Sequence, residues 1–247
     1  MKKIIYICCL VTIFSCNSED AGDCIQTAGT IIKQEIEVAP FTRILVNKKI
    51  ALVISEGPTQ KVIVETGKNL MPDIEVQVID NQMILTNHNS CNYFRDYGIT
   101  KVYITAPDIS EIRNASELNV TSEGLLTFPN LFLESTGIGN TFLAVGDFDL
   151  NIDNSKVTVL SNGISNFYLS GKTKELTIYF ASGDTRLEGK NLISEDVTIL
   201  QVSSNDILIH PTNSLKGSIH SVGNVISFNK PSIVEVDVQS KGKLIFK

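Results

Sequence analysis

Three histidines, a scatter of carboxylates and two small-residue motifs are the side chains of this chain best suited to acid–base or phosphate chemistry. His88, His210 and His220 fall in no ligand-spaced motif such as HExxH, so they offer neither a metal site nor a paired base. His210 precedes Pro211 at an expected corner and His88 lies in the polar run TNHNSCN; both read as solvated turn residues. Ser161-Asn162-Gly163-Ile164-Ser165 lacks the GxSxG spacing of a nucleophile elbow, and no helix follows it. Gly137-Ile138-Gly139 has the glycines of a phosphate loop but runs into strand-like Thr141-Phe142-Leu143, not a helix N-terminus, which removes the anion-binding mechanism. Sugar hydrolysis needs two carboxylates flanking the bond. Glu175, Glu188, Glu195 and Asp196 read instead as solvated faces, and there is no Trp to stack a sugar. Phe142, Phe148, Phe167, Tyr168 and Phe180 mostly sit within strand repeats, where core stacking accounts for several of them. The expectation is a protein that is not an enzyme, with no cofactor and no metal.

The cysteines carry more. Lys2 and Lys3 precede an apolar run from Ile4 to Phe14, then Ser15 and Cys16, the pattern of a secretory signal. The run is shorter than the roughly 20 residues a membrane-spanning helix needs. Ile13-Phe14-Ser15-Cys16 resembles a bacterial lipobox, which implies removal of residues 1–15 and lipidation of Cys16. Residues 17–23 (NSEDAGD) are polar and acidic. They read as a flexible tether, and Glu19 and Asp20 resemble the tag that sends some Gram-negative lipoproteins to the cell surface. Cys8 and Cys9 lie in the signal, which leaves Cys24 and Cys91. An even remainder in an exported chain points to a disulfide, with two unpaired thiols as the alternative. No CxxC or clustered His favours a metal site.

The formal charge of −6, or −8 once Lys2 and Lys3 leave, argues against nucleic acid and against electrostatic binding to anionic lipid. Membrane attachment then falls to acyl chains, at about 0.8 kcal/mol per buried methylene.

Positioning any of these side chains falls to β-strands. Apolar residues alternate at Ile44/Val46, Leu52/Ile54, Val62/Val64, Ile74/Val76/Val78, Met83/Leu85 and Val102/Ile104, with turns at Asn47-Lys48-Lys49 and Asp80-Asn81. No segment sustains a helical apolar stripe. In the second half a turn-forming residue, an Asn or Asp and an apolar strand recur, marked by Asn140, Asn166, Asp184, Asn205 and Asn224 at separations of 26, 18, 21 and 19. Leu143, Leu169, Leu187 and Leu208 each follow a marker by three residues. A loose period of about 20 suits stacked β coils, each too small to bury its own apolar side. A β-sandwich is the competing fold. The domain reading is a signal over 1–15, a lipidated cysteine and acidic tether over 16–35, and one β domain over 36–247.

The run PFTRILVNKKIALVISEG, continued by KVIVETGKNL, IEVQVIDNQMILTN and KVYITAPDISEI, resembles the opening of the head GIN domain family of auto-transporter adhesins. GIGN, SNGIS, ASGD and SVGNVISFNKPSIVEV resemble its glycine–asparagine corners and closing section, so the likeness spans Ile36 to Lys247. It implies a right-handed single-stranded β-helix-like solenoid, an adhesive role and no catalytic motif. The chain departs from the glycine corners at Asn114-Ala115-Ser116-Glu117 and Ser203-Ser204-Asn205. The resulting expectation is an outer-membrane lipoprotein, exposed at the cell surface, acting as a non-catalytic adhesion or binding module. A periplasmic structural or sensing partner is the alternative, and a carbohydrate-active β-helix enzyme a more distant one. Expected partners are the membrane through the lipid anchor only, a protein or glycan ligand, and a second copy of the chain in a homo-oligomer.

Overall fold

The computed structural model describes residues 22–93, 95–137 and 144–247. The signal, Cys16, Glu19, Asp20, Gly139, Asn140, Phe142 and Leu143 lie outside the described residues. The chain is all-β. Its strands are β1 Ile31–Glu35, β2 Arg43–Val46, β3 Ala51–Glu56, β4 Lys61–Gly67, β5 Ile74–Ile79, β6 Gln82–Asn87, β7 Lys101–Ala106, β8 Glu111–Asn114, β9 Val120–Leu126 and β10 Asn130–Ser135. There follow β11 Phe148–Ser161, β12 Asn166–Phe180, β13 Arg186–Gln201, β14 Ile207–Ile219, β15 Val225–Ser227, β16 Ile233–Val238 and β17 Leu244–Phe246.

The strands pair into two rows. One runs β5–β6–β2–β8–β10, continues through the second halves of β11 to β14, and ends at β16. The other runs β1–β4–β7–β3–β9, continues through the first halves of β11 to β14, and ends at β15 and β17. Pairing from β6 and β7 onward is parallel, so the chain returns to the same register once per coil. Phe148, Phe167, Leu187, Ile207 and Val225 occupy successive rungs, all buried. The rings of Phe148 and Phe167 stack with centroids 4.7 Å apart. The inward side chains of both rows form one core, which is why neither row is apolar on both faces. A sandwich of antiparallel sheets is not what this pairing builds.

Three features differ from a regular run of coils. First, β1, β4 and β5 pair antiparallel at the start of the stack, where Asp80 and Asn81 (φ 48° and 64°) make the β5–β6 hairpin turn. Ile74, Val76 and Val78 are consequently only half-buried, on an edge strand. Second, the β2–β3 coil is inserted between the later β6–β7 and β8–β9 coils. Third, the register differs from the five sequence markers. Asn166 opposes Arg186, not Asp184, and Leu187 opposes Phe167 and Ile207 while Leu208 opposes Glu188. Irregularities after Tyr168, Glu188 and Ser194 absorb the unequal spacings. Gly171 and Gly217 keep positive φ with their α-carbons against the neighbouring coil; a β-carbon there would sit 2.0 Å and 1.9 Å from the carbonyl oxygens of Ile152 and Ile199.

The corners that lack glycine are built by side chains. Asn114 Oδ1 accepts from the Ser116 amide (3.1 Å), Ser116 Oγ from the Leu118 amide (3.1 Å), and Asn114 Nδ2 donates to the Leu118 carbonyl (3.0 Å). Gln201 and Ser203 repeat the device on the amides of Ser203 and Asn205. A short polar side chain thus supplies the turn geometry that glycine supplies elsewhere. Beside these corners runs a buried hydroxyl seam: Ser135 with Ser165 (2.6 Å), Ser161 with Thr185 (2.7 Å), and Ser203 donating to the Thr185 carbonyl (2.6 Å).

Candidate functional site

An open groove of about 450 Å³ crosses the outer face of β11 to β13. Register creates it. Asp149, Tyr168 and Glu188 are successive rungs of one outward column, with Ser170 and Asn191 paired in the column beside it. Tyr168 is 44 % exposed, although Phe167 and Leu169 on either side of it are buried. Of the repeat aromatics, Phe148, Phe167 and Phe180 are core, whereas Tyr168 belongs to the surface. The alternation Phe167-Tyr168-Leu169 was the signal for this. Arg186 holds Glu188 through Nε (2.7 Å) and Nη2 (2.5 Å) and donates to Asn205 Oδ1 (3.2 Å), so the carboxylate wall of the groove is fixed in place. A π face beside carboxylates, amides and the Lys190 side chain suits reversible contact with a polar ligand.

A second constellation occupies the corner after β6. Cys24 and Cys91 are disulfide-bonded. Around the bridge, Asp23 Oδ2 accepts from the Ser90 amide (2.8 Å) and hydroxyl (2.6 Å), and the Tyr93 amide donates to the Cys24 carbonyl (3.1 Å). Arg95 donates to the carbonyls of Asp23 (2.8 Å), Gln26 (3.2 Å) and Cys91 (2.6 Å). Those contacts, with β1 paired to β4, hold residues 23–35 against the stack. The corner also encloses a pocket of about 50 Å³. Lys49 Nζ donates to the Asn89 carbonyl (2.6 Å) at its wall, and Asn89 Oδ1 is buried without a hydrogen-bond partner among the described residues. Burial, reinforced by Lys48, lowers the Lys49 pKa. The hydrogen bond to Glu117 raises the Tyr97 hydroxyl to about 12. For Glu117, burial pushes the carboxyl up, but bonds from Tyr97 and the Lys49 amide outweigh it and leave it below its usual value. Sequence reading found the cysteines here and missed Lys49, Asn89, Arg95, Tyr97 and Glu117, which come from three separate coils.

The other sequence candidates stay apart. His88 pairs with Glu75 (2.7 Å) at the start of the stack, while His210, which meets the Lys190 carbonyl (3.3 Å), and His220, which meets Ser218 (2.8 Å), lie in and just after β14, one in each row. Glu175 pairs with Lys156 (3.2 Å), and Asp196 accepts from Asn213 (2.8 Å) and Ser214 (2.5 Å). Glu195 is exposed. Ser161 is buried in the hydroxyl seam, and the Gly137 amide is bonded to Asn162 Oδ1 (3.0 Å). Among the described residues no group of three His, Cys, Asp or Glu side chains is placed to hold a metal ion. No helix among them is long and apolar enough to cross a membrane.

A family model described as "Putative auto-transporter adhesin, head GIN domain" matches residues 40–231. The chain belongs to this family. No curated protein matches it significantly. A similar fold is seen in the crystal structure of a putative adhesin from Bacteroides fragilis, with a TM-score of 0.79 at 22% identity over 90% of this chain and 99% of that one. A putative lipid binding protein from Parabacteroides distasonis gives 0.61 at 11% identity, covering 88% of this chain and 97% of its own. A putative adhesin from Parabacteroides merdae gives 0.51 at 14%, covering 89% and 97%. At these identities the likeness is one of fold. Family membership supports a binding role and a place at the cell envelope.

Proposed function

We propose that this head GIN protein is a lipid-anchored, surface-exposed adhesion module that binds a glycan or protein ligand in the groove around Tyr168. The observation that carries the binding site is Tyr168 itself, an exposed ring rigidly presented on a parallel rung and flanked by Asp149, Glu188 and Asn191. Stacking plus fixed hydrogen-bond partners recognises ligands without activating a nucleophile. The test is binding to a panel of surface glycans and host-matrix proteins. Tyr168→Ala should weaken the bound ligand by about tenfold or more, the 1.4 kcal/mol or so that an aromatic anchor supplies. Unchanged affinity removes the groove from the proposal.

The anchor reading rests on Lys2, Lys3, the apolar run and Cys16; the outward orientation rests on Glu19 and Asp20. In this reading residues 1–15 are removed and residues 16–22 link the lipid to the body, since the Cys24–Cys91 bridge and β1 hold residues 23–35 against the stack. Protease added to intact cells should remove the domain. A Cys16→Ala protein should leave the membrane fraction. Protection until the outer membrane is broken would place the domain on the periplasmic face, as a partner of another envelope protein.

A further inference from the structure

If Cys16 carries the lipid, as proposed above, the corner closed by Cys24–Cys91 is the point at which the lipid is tethered to the described domain. Eight residues lead from Cys16 to Cys24, and at 3.3–3.6 Å per residue they reach at most about 29 Å. The disulfide and the Arg95 contacts clamp that chain to Cys91 and Arg95, so the leash cannot lengthen without breaking the corner. The far edge, β17, lies eight rungs from β7, about 38 Å at the usual strand spacing.

This corner presents Tyr93 at 75 % exposure, Tyr97 at 64 % and Ile25 at 46 %. Amphipathic rings with an apolar neighbour suit the boundary between headgroups and acyl chains. Among its cations Lys48 is exposed, whereas Arg95 and Lys49 are committed. Arg95 serves backbone carbonyls and Lys49 serves Asn89, while Asp23, Asp73, Asp96 and Glu117 add negative charge nearby. Attraction to anionic lipid is therefore not what seats it.

We infer that the disulfide-closed corner docks on the bilayer that holds the lipid anchor, placing Tyr93, Tyr97 and Ile25 at headgroup level. The molecule then has a membrane-facing corner and a distal C-terminal edge, with Tyr168 four rungs, about 19 Å, from the corner.

Hydrogen exchange of the full-length lipidated protein in phosphatidylcholine vesicles, compared with full-length Cys16→Ala in solution, tests this. Amides of residues 90–97 should exchange about tenfold more slowly on vesicles, while those of 225–246 stay unchanged. Adding phosphatidylglycerol should not increase the protection. The I25S/Y93S variant, which spares the Tyr97–Glu117 bond, should still float with vesicles but lose the protection, with exchange in β11–β14 showing an intact stack. A protein that floats yet leaves 90–97 unprotected overturns the docking and spares the anchor. One that does not float overturns both. Protection in native membranes but not in pure lipid assigns the corner to a protein partner and likewise overturns it.

Discussion

At the residue scale, the corner around Cys24–Cys91 concentrates the groups whose ionisation the fold alters. Hydrogen bonds from the Ser90 hydroxyl and amide hold the Asp23 carboxyl below the usual carboxylate range. A lowered folded pKa means that the ionised form stabilises the fold. That contribution is complete above the unfolded value and disappears as pH falls through the folded one. Asp23→Asn should therefore destabilise the protein at neutral pH, and the difference from wild type should vanish in acid, as read from denaturant midpoints. Tyr97 runs the other way. Its neutral form donates to Glu117, its pKa is raised from 10.0 to about 12, and the stabilisation is complete below pH 10 and lost toward pH 12. A spectrophotometric titration should find Tyr97 ionising late, and Glu117→Gln should return it to the ordinary range. Removing the bridge with C24S/C91S opens a 67-residue loop, for which chain entropy sets a ceiling of about 4 kcal/mol on the lost stability. The cysteine pair was legible from its even count in an exported chain. Lys49, Tyr97 and Glu117 were not, because nothing in one strand's pattern says which other coil will lie beside it.

At the element scale, each coil is held by an apolar column inside and polar corners outside the column. Phe167 lies between Phe148 and Leu187 in that column, so Phe167→Ala should cost about 3–5 kcal/mol through the cavity it leaves. Ser203→Ala should cost about 1–3 kcal/mol, because it strips a buried hydrogen bond from the Thr185 carbonyl. Both are measured by equilibrium unfolding, and the smaller figure would be sharply exceeded only if the corner itself unravelled. Strand identity was legible throughout, since period-two burial follows directly from the pleat: Ile44, Val46, Leu52, Ile54, Met83 and Leu85 are all core. Coil register was not. The Asn and Asp markers repeat because turns need such residues, and several residues near each corner meet that need. Asn166 and Asn224 occupy equivalent rungs, bonded to Asp147 and Asp206 of the preceding coils, whereas Arg186 and Asp206 fill the rungs assigned to Asp184 and Asn205.

For the whole molecule, the two ends of the stack differ. The first end is closed by antiparallel β1, β4 and β5 and by the disulfide corner. The last ends on β16 and β17, each paired on one side, with Ile233, Val234, Val238, Ile245 and Phe246 exposed. An open edge of this kind templates association, and Glu235 and Asp237 moderate it. Sedimentation should show mass rising with concentration, and Val234→Lys should hold the protein monomeric. The amino-acid sequence by itself determined the all-β class and the coil-sized period, and it pointed to the family and to a bridge between Cys24 and Cys91 with two free thiols as the alternative. These follow from local alternation, turn chemistry, the order of segments and a count. Only the tertiary structure decided that the β2–β3 coil inserts between later coils, that Tyr168 faces outward beside Glu188, and that Lys49, Asn89 and Glu117 converge behind the disulfide. Such placements depend on which coils become neighbours, and that choice is made by burying all the coils together, not by any one of them.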